Sequence, residues 1–127
     1  MRQLLIVLGL LLASCSNTLE STEVAQFEGK KYIIKVSEYD SGLVRNADVF
    51  INNKLAYQIA PKSIKMDKSC TKVFSNGYTI TCPYSTTFEG KKLDIKHVFK
   101  SSLLALSVNY EVYLDGQLVE VVNTRNK

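Results

Sequence analysis

The side chains in this 127-residue chain that could do chemistry are few: one histidine, His97, three cysteines, Cys15, Cys70 and Cys82, and 12 acidic residues spread along it. Nucleophilic catalysis needs a thiol, hydroxyl or amine beside a base that is itself oriented by a third group. A zinc site needs His and Cys at short, characteristic spacings, and a phosphate loop needs clustered glycines. None of these constellations is present in the sequence, which points away from an enzyme and implies no metal or cofactor. His97 reads as a core-facing structural residue. In the last hairpin Glu111 is expected opposite Glu120, where a weak cation site, a solvated face or a shifted register would each relieve the repulsion.

Lysine supplies the other chemical signal. The formal net charge is +4, and residues 49 to 88 carry Lys54, Lys62, Lys65, Lys68 and Lys72 against Asp67 alone. Lys62, Lys65, Lys68 and Lys72 surround PKSIKMDKS and form a candidate binding patch beside Ile64 and Met66. Such an edge would attract lipid phosphates, anionic glycans or an acidic protein surface. Equally, lysines on an edge strand block strand-to-strand aggregation.

Strands joined by tight turns must position these residues. Tyr32, Ile34 and Val36 alternate with polar neighbours, the pattern of a half-buried strand. Asn52-Asn53 and Asp115-Gly116 each separate two β-rich runs, as two-residue hairpin turns do. A third hairpin is marked by Ser75-Asn76-Gly77. A three-residue loop with glycine in the left-handed region there sets Phe74 opposite Tyr78 and therefore Cys70 opposite Cys82, close enough for a structural disulfide.

A repeat organises the whole. FEGKKYIIK (Phe27 to Lys35) matches FEGKKLDIK (Phe88 to Lys96) at seven of nine positions, 61 residues apart. VFINNKLAYQI (Val49 to Ile59) resembles VYLDGQLVEVV (Val112 to Val122) at an offset of 63. The expected unit is a strand, a connection and a hairpin, present twice. This alignment lays His97 over Val36, on the inward face. The expected fold is an all-β, small antiparallel β-sandwich or barrel of about eight strands, with one disulfide-bridged hairpin.

The amino terminus is of another kind. Arg2 precedes the apolar run Leu4 to Ala13, which is shorter than the roughly 20 residues of a membrane span. Leu12-Ala13-Ser14-Cys15 resembles the lipobox of bacterial lipoproteins. That resemblance implies a signal peptide over residues 1–14, a diacylglycerol thioether on Cys15, and acylation of the new amino terminus. Ser16, in place of an aspartate, favours sorting to the outer membrane. With Cys15 lipidated, Cys70 and Cys82 are left as a pair in an oxidising compartment. Residues 15–26 read as a lipidated end and polar tether, which could hold the domain up to roughly 35 Å from the bilayer. Residues 27–127 read as a single β-domain.

The function these features suggest is a lipid-anchored, non-catalytic binding or assembly module of the cell envelope. Its partners would be the membrane, through Cys15, and an envelope protein or an anionic glycan or lipid, with no nucleic acid. Lysozyme-inhibiting lipoproteins, the exclusion or immunity lipoproteins of phages and plasmids, and a hydrolase with an unrecognised site are the alternatives.

Overall fold

The computed structural model describes residues 18–39, 44–64 and 67–126, which form two antiparallel sheets. Strands β1 (Thr18–Phe27), β2 (Lys30–Tyr39), β3 (Val44–Ile51) and β4 (Lys54–Ser63) make the first sheet in chain order. Strands β5 (Thr71–Phe74), β6 (Tyr78–Phe88), β7 (Lys91–Ser101), β8 (Leu106–Leu114) and β9 (Gln117–Asn126) make the second. Of the sandwich or barrel expected from the sequence, the all-β sandwich is the fold, with nine strands among the described residues.

The additional strand is β1, and it corrects the boundary drawn at residue 27. Residues 18–26, expected as a tether, pair with β2 from Thr18↔Tyr39 to Phe27↔Lys30. Only Ala25 and Phe27 of this strand are buried. Backbone pairing holds β1 in place, so the period-2 apolar signal that marks other strands is missing from it. Residues 1–14, expected as a signal peptide, and Cys15, the expected lipidation site, lie outside the described residues.

The FEGKK motif is a hairpin turn in both places. Glu28 and Gly29 have φ values of 52° and 74°, and Glu89 and Gly90 have 49° and 78°. Positive φ at both central residues is the geometry that matches the twist of two-residue hairpins. Asn52-Asn53 and Asp115-Gly116 turn in the same way.

Duplication extends further than the expected unit, because each half contains two hairpins. The backbone N–H of Asn52 donates to the Ile33 carbonyl and its Oδ1 accepts from the Ile33 N–H, both at 2.9 Å. Asp115 makes the same pair of bonds with Lys92, again at 2.9 Å, two positions before the residue that the repeat alignment lays over Ile33. The β3–β4 ladder shifts register between Arg45 and Ala47 and between Val49 and Phe50. Shifts also occur in β8–β9, between Val108 and Asn109 and between Val112 and Tyr113, close to the 63-residue offset. The second of these moves Glu120 opposite Val112 and Glu111 opposite Val121. A bulge thus removes the expected Glu111–Glu120 opposition.

The two sheets enclose one core. Tyr32, Ile34, Val36, Ala47, Val49, Ile51 and Ile59 face Leu93, Ile95, Tyr110, Val112, Leu114 and Val122 across it. At one side β1 packs beside β9, and at the other Tyr57 of β4 meets Tyr84 of β6 with ring centroids 5.5 Å apart. Ile64, expected beside the lysine patch on the surface, is buried in this core.

Antiparallel pairing gives the sandwich two distinct ends. The FEGKK turns sit together at one of them: Lys91 approaches Glu28 at 3.6 Å, and Lys54, just after the Asn52-Asn53 turn, approaches Glu89 at 3.3 Å. At the other end lie the start of β1, the end of β9, the Ser75–Gly77 loop and the β7–β8 loop. Strands of ten or so residues separate these two ends by roughly 30 Å.

Candidate functional site at the loop end

Chemistry-capable side chains are drawn into the fold. His97 is buried, with its ring 4.9 Å from that of Tyr110 in an edge-on arrangement. The Tyr110 hydroxyl donates to Glu38, a buried carboxylate on the inward face of β2. Thr124 Oγ1 lies 3.5 Å from the same carboxylate, and Arg125 Nε lies 3.7 Å from its other oxygen. One acidic group of the first sheet is thus held by three residues of the second and largely shielded from bulk water.

Sequence reasoning placed His97 on an inward face, and the structure agrees. Glu38, Tyr110 and Arg125 were missed. Their signal was an acidic residue at an inward-facing position, two residues after Val36 in the alternation that starts at Tyr32. In the ladders Glu38 sits opposite Ala47 and His97 sits opposite Tyr110, so the small residue of one half leaves room for the large one of the other.

Cys70 and Cys82 are bonded, with Cα atoms 4.2 Å apart across 12 positions of sequence. The expected register holds, since Phe74 pairs with Tyr78 and Thr71 with Thr81. Gly77 adopts φ +112°, and a Cβ built there would lie 2.0 Å from the Ser101 carbonyl oxygen. Glycine is required on both counts, and its absence of a side chain lets the Ser75–Gly77 loop press against the β7–β8 loop.

That β7–β8 loop is closed by a 2.9 Å hydrogen bond from the Ser102 N–H to the Ala105 carbonyl. Leu103 and Leu104 stand at its tip, 103% and 95% exposed, and Phe74 in the neighbouring hairpin is 77% exposed. Asn76 and Gly77 line a shallow cavity with Ser102, Leu103 and Leu104, and a second cavity is lined by Lys72, Phe74, Tyr78 and Ile80. An aromatic row runs inward from the tip. Phe74 and Tyr78 have centroids 6.3 Å apart, and Tyr78 and the buried Phe99 are 5.8 Å apart and stacked.

Lysines border the apolar residues. Lys72 is exposed two positions before Phe74, and Lys100 is exposed at the end of β7, paired with Thr79. Of the other three residues in the expected patch, Lys62 lies in β4 opposite Arg45, Lys68 is exposed before Cys70, and Lys65 lies outside the described residues. The structure therefore places Lys72 on the same face of its sheet as Phe74, and Lys100 on the opposite face near the same end. It does not show the four expected lysines as a single cluster.

Two tyrosine hydroxyls are held protonated above their ordinary value of 10.0. Tyr39, near the loop end, donates to Asp48 at 3.2 Å, and that bond and the carboxylate's charge raise its pKa. Tyr113 donates to Glu111 at 2.6 Å, with the same effect. Among the described residues no group of three or more His, Cys, Asp or Glu side chains is placed to hold a metal ion, and no helix is long and apolar enough to cross a membrane. No protein-family model matches the chain, and no curated protein or solved structure matches it significantly.

Proposed function

We propose that this protein is a lipid-anchored β-domain of the cell envelope that works without catalysis, by docking the loop end of its sandwich against another envelope component. The observation that carries this reading is the placement of Leu103, Leu104 and Phe74, fully or largely exposed and bordered by Lys72 and Lys100. A cluster of exposed large apolar side chains on a small domain marks an interaction surface. The internal contacts of Glu38, His97 and Tyr110 favour a structural role for them. With Glu38 and His97 turned inward and Leu103, Leu104 and Phe74 outward at the loop end, the molecule is suited to offering a surface.

Lipidation of Cys15 is the other half of the reading and rests on the Leu12-Ala13-Ser14-Cys15 tetrapeptide. Site-specific photo-cross-linking in intact cells tests the docking end. With Leu104→benzoylphenylalanine the protein should form cross-links to an envelope component, whether protein or lipid, and with Leu118→benzoylphenylalanine at the turn end it should not. Equal cross-linking from both positions, or none from position 104, would refute the docking end.

A further inference from the structure

We infer that the occupant of the loop end is the bilayer itself: Leu103, Leu104 and Phe74 enter the interfacial region of an anionic membrane while Lys72 and Lys100 meet lipid phosphates. This deepens the proposed function and rests on its reading of the loop end as the docking surface. Three independent observations converge on it.

The first is where the chain enters the fold. Strand β1 begins at Thr18, paired with Tyr39, at the same end as the apolar tip. The end is fixed by contacts across the sheets, because Glu38, opposite Leu19, meets Arg125 of β9, and Arg125 pairs with Val108 near the start of β8. Cys15 stands three positions before Thr18, so an extended chain puts it within roughly 10 Å of that end. The tether of roughly 35 Å expected from the sequence is therefore absent as a spacer. A lipid on Cys15 would draw the loop end, and no other part of the molecule, against the membrane.

The second is the composition of that end. Leucine and phenylalanine project beyond the strands, with Tyr78 and the partly exposed Tyr39 behind them and Lys72 and Lys100 at the border. Apolar tips, interfacial aromatic residues and lysines in that order are the composition of surfaces that sit at a lipid interface.

Rigidity is the third. The close approach of Gly77 to Ser101 sets the two loops against each other, the Ser102–Ala105 hydrogen bond closes the β7–β8 loop on itself, and the Cys70–Cys82 disulfide staples the hairpin behind them. Apolar side chains held outward on braced loops lose little conformational freedom when a membrane covers them. The effect on the protein is orientation: the strands stand upright on the bilayer and the four two-residue turns face away from it, toward the compartment.

The chain contains no tryptophan, so a single introduced indole reports its own surroundings. The full-length protein, purified from membranes and reconstituted in phosphatidylethanolamine–phosphatidylglycerol vesicles containing brominated acyl chains, would carry either Leu103→Trp or Leu118→Trp. Leu118 is 55% exposed and sits beside the Asp115-Gly116 turn, roughly 30 Å away. Emission from the Leu103→Trp protein should shift to the blue and be quenched, whereas that from the Leu118→Trp protein should stay at its aqueous wavelength and unquenched. Quenching of both to the same extent, or of neither in protein that floats with the vesicles, would overturn the inference. Cross-links from position 104 to a protein, with no quenching of Leu103→Trp, would sustain the docking end and replace the bilayer as its occupant.

Discussion

At the scale of single residues the most consequential contact is the one between Glu38 and Tyr110, because it joins the two sheets through a buried carboxylate. Removing the Tyr110 hydroxyl takes its bond from a largely buried carboxylate, so Tyr110→Phe should lower stability by about 1–3 kcal/mol in urea unfolding. Tyr113 gives a pH prediction. Its pKa is raised by the bond to Glu111, so the neutral hydroxyl is favoured in the folded state. The stability from this bond is fully present below the unfolded value near 10.0 and is lost as pH rises through the higher folded value. Spectrophotometric titration should show a late-ionising tyrosine that returns toward ordinary behaviour in Glu111→Gln. The inward position of His97 was legible from the repeat alignment, which needs only the strand period. The Glu38 cluster was not, since a glutamate in an alternating strand marks a face and reveals nothing about partners 72 residues or more away.

Among the elements, the turns carry most of the specification. Glu28 and Glu89 hold left-handed conformations that a glutamate adopts at a cost, and asparagine tolerates them better. Their ion pairs with Lys91 and Lys54 are largely exposed and weak. Glu28→Asn combined with Glu89→Asn should therefore stabilise the fold by about 0.5–1 kcal/mol, measured by urea unfolding. The disulfide-bridged hairpin acts in the opposite sense: Cys70→Ala with Cys82→Ala should cost about 2–3 kcal/mol by freeing the unfolded chain. Hairpins were the most legible part of the fold, because Asn-Asn, Asp-Gly and Ser-Asn-Gly fix loop length and hence register. Strand β1 was hidden because its side chains are mostly polar and its stabilisation comes from the ladder with β2. In both copies of FEGKK the Glu-Gly pair makes the turn and the lysines open the strand that follows.

For the whole molecule, the central claim is that one end of a duplicated sandwich is held against a membrane. Both halves share their turn geometry, their cross-strand anchors at Asn52 and Asp115 and closely corresponding register shifts, so the scaffold is nearly repeated from end to end. What differs between the halves is where the apolar surface lies. The second half carries β5 with its disulfide, and Leu103 and Leu104 stand exposed in its β7–β8 loop, which makes the loop end unlike the turn end. Lysine counting along the sequence singled out residues 49 to 88, which contain Lys72 and Phe74. It passed over Leu103 and Leu104 because a pair of leucines between two strands looks like core until the loop is seen to project them outward. The anchor decides whether this end meets a bilayer at all. Metabolic labelling with palmitate, followed by isolation of the protein from wild-type cells and from cells carrying Cys15→Ala, tests that most directly. The account predicts label on the wild-type protein and none on the variant; an unlabelled wild-type protein, or equal label on both, would contradict it.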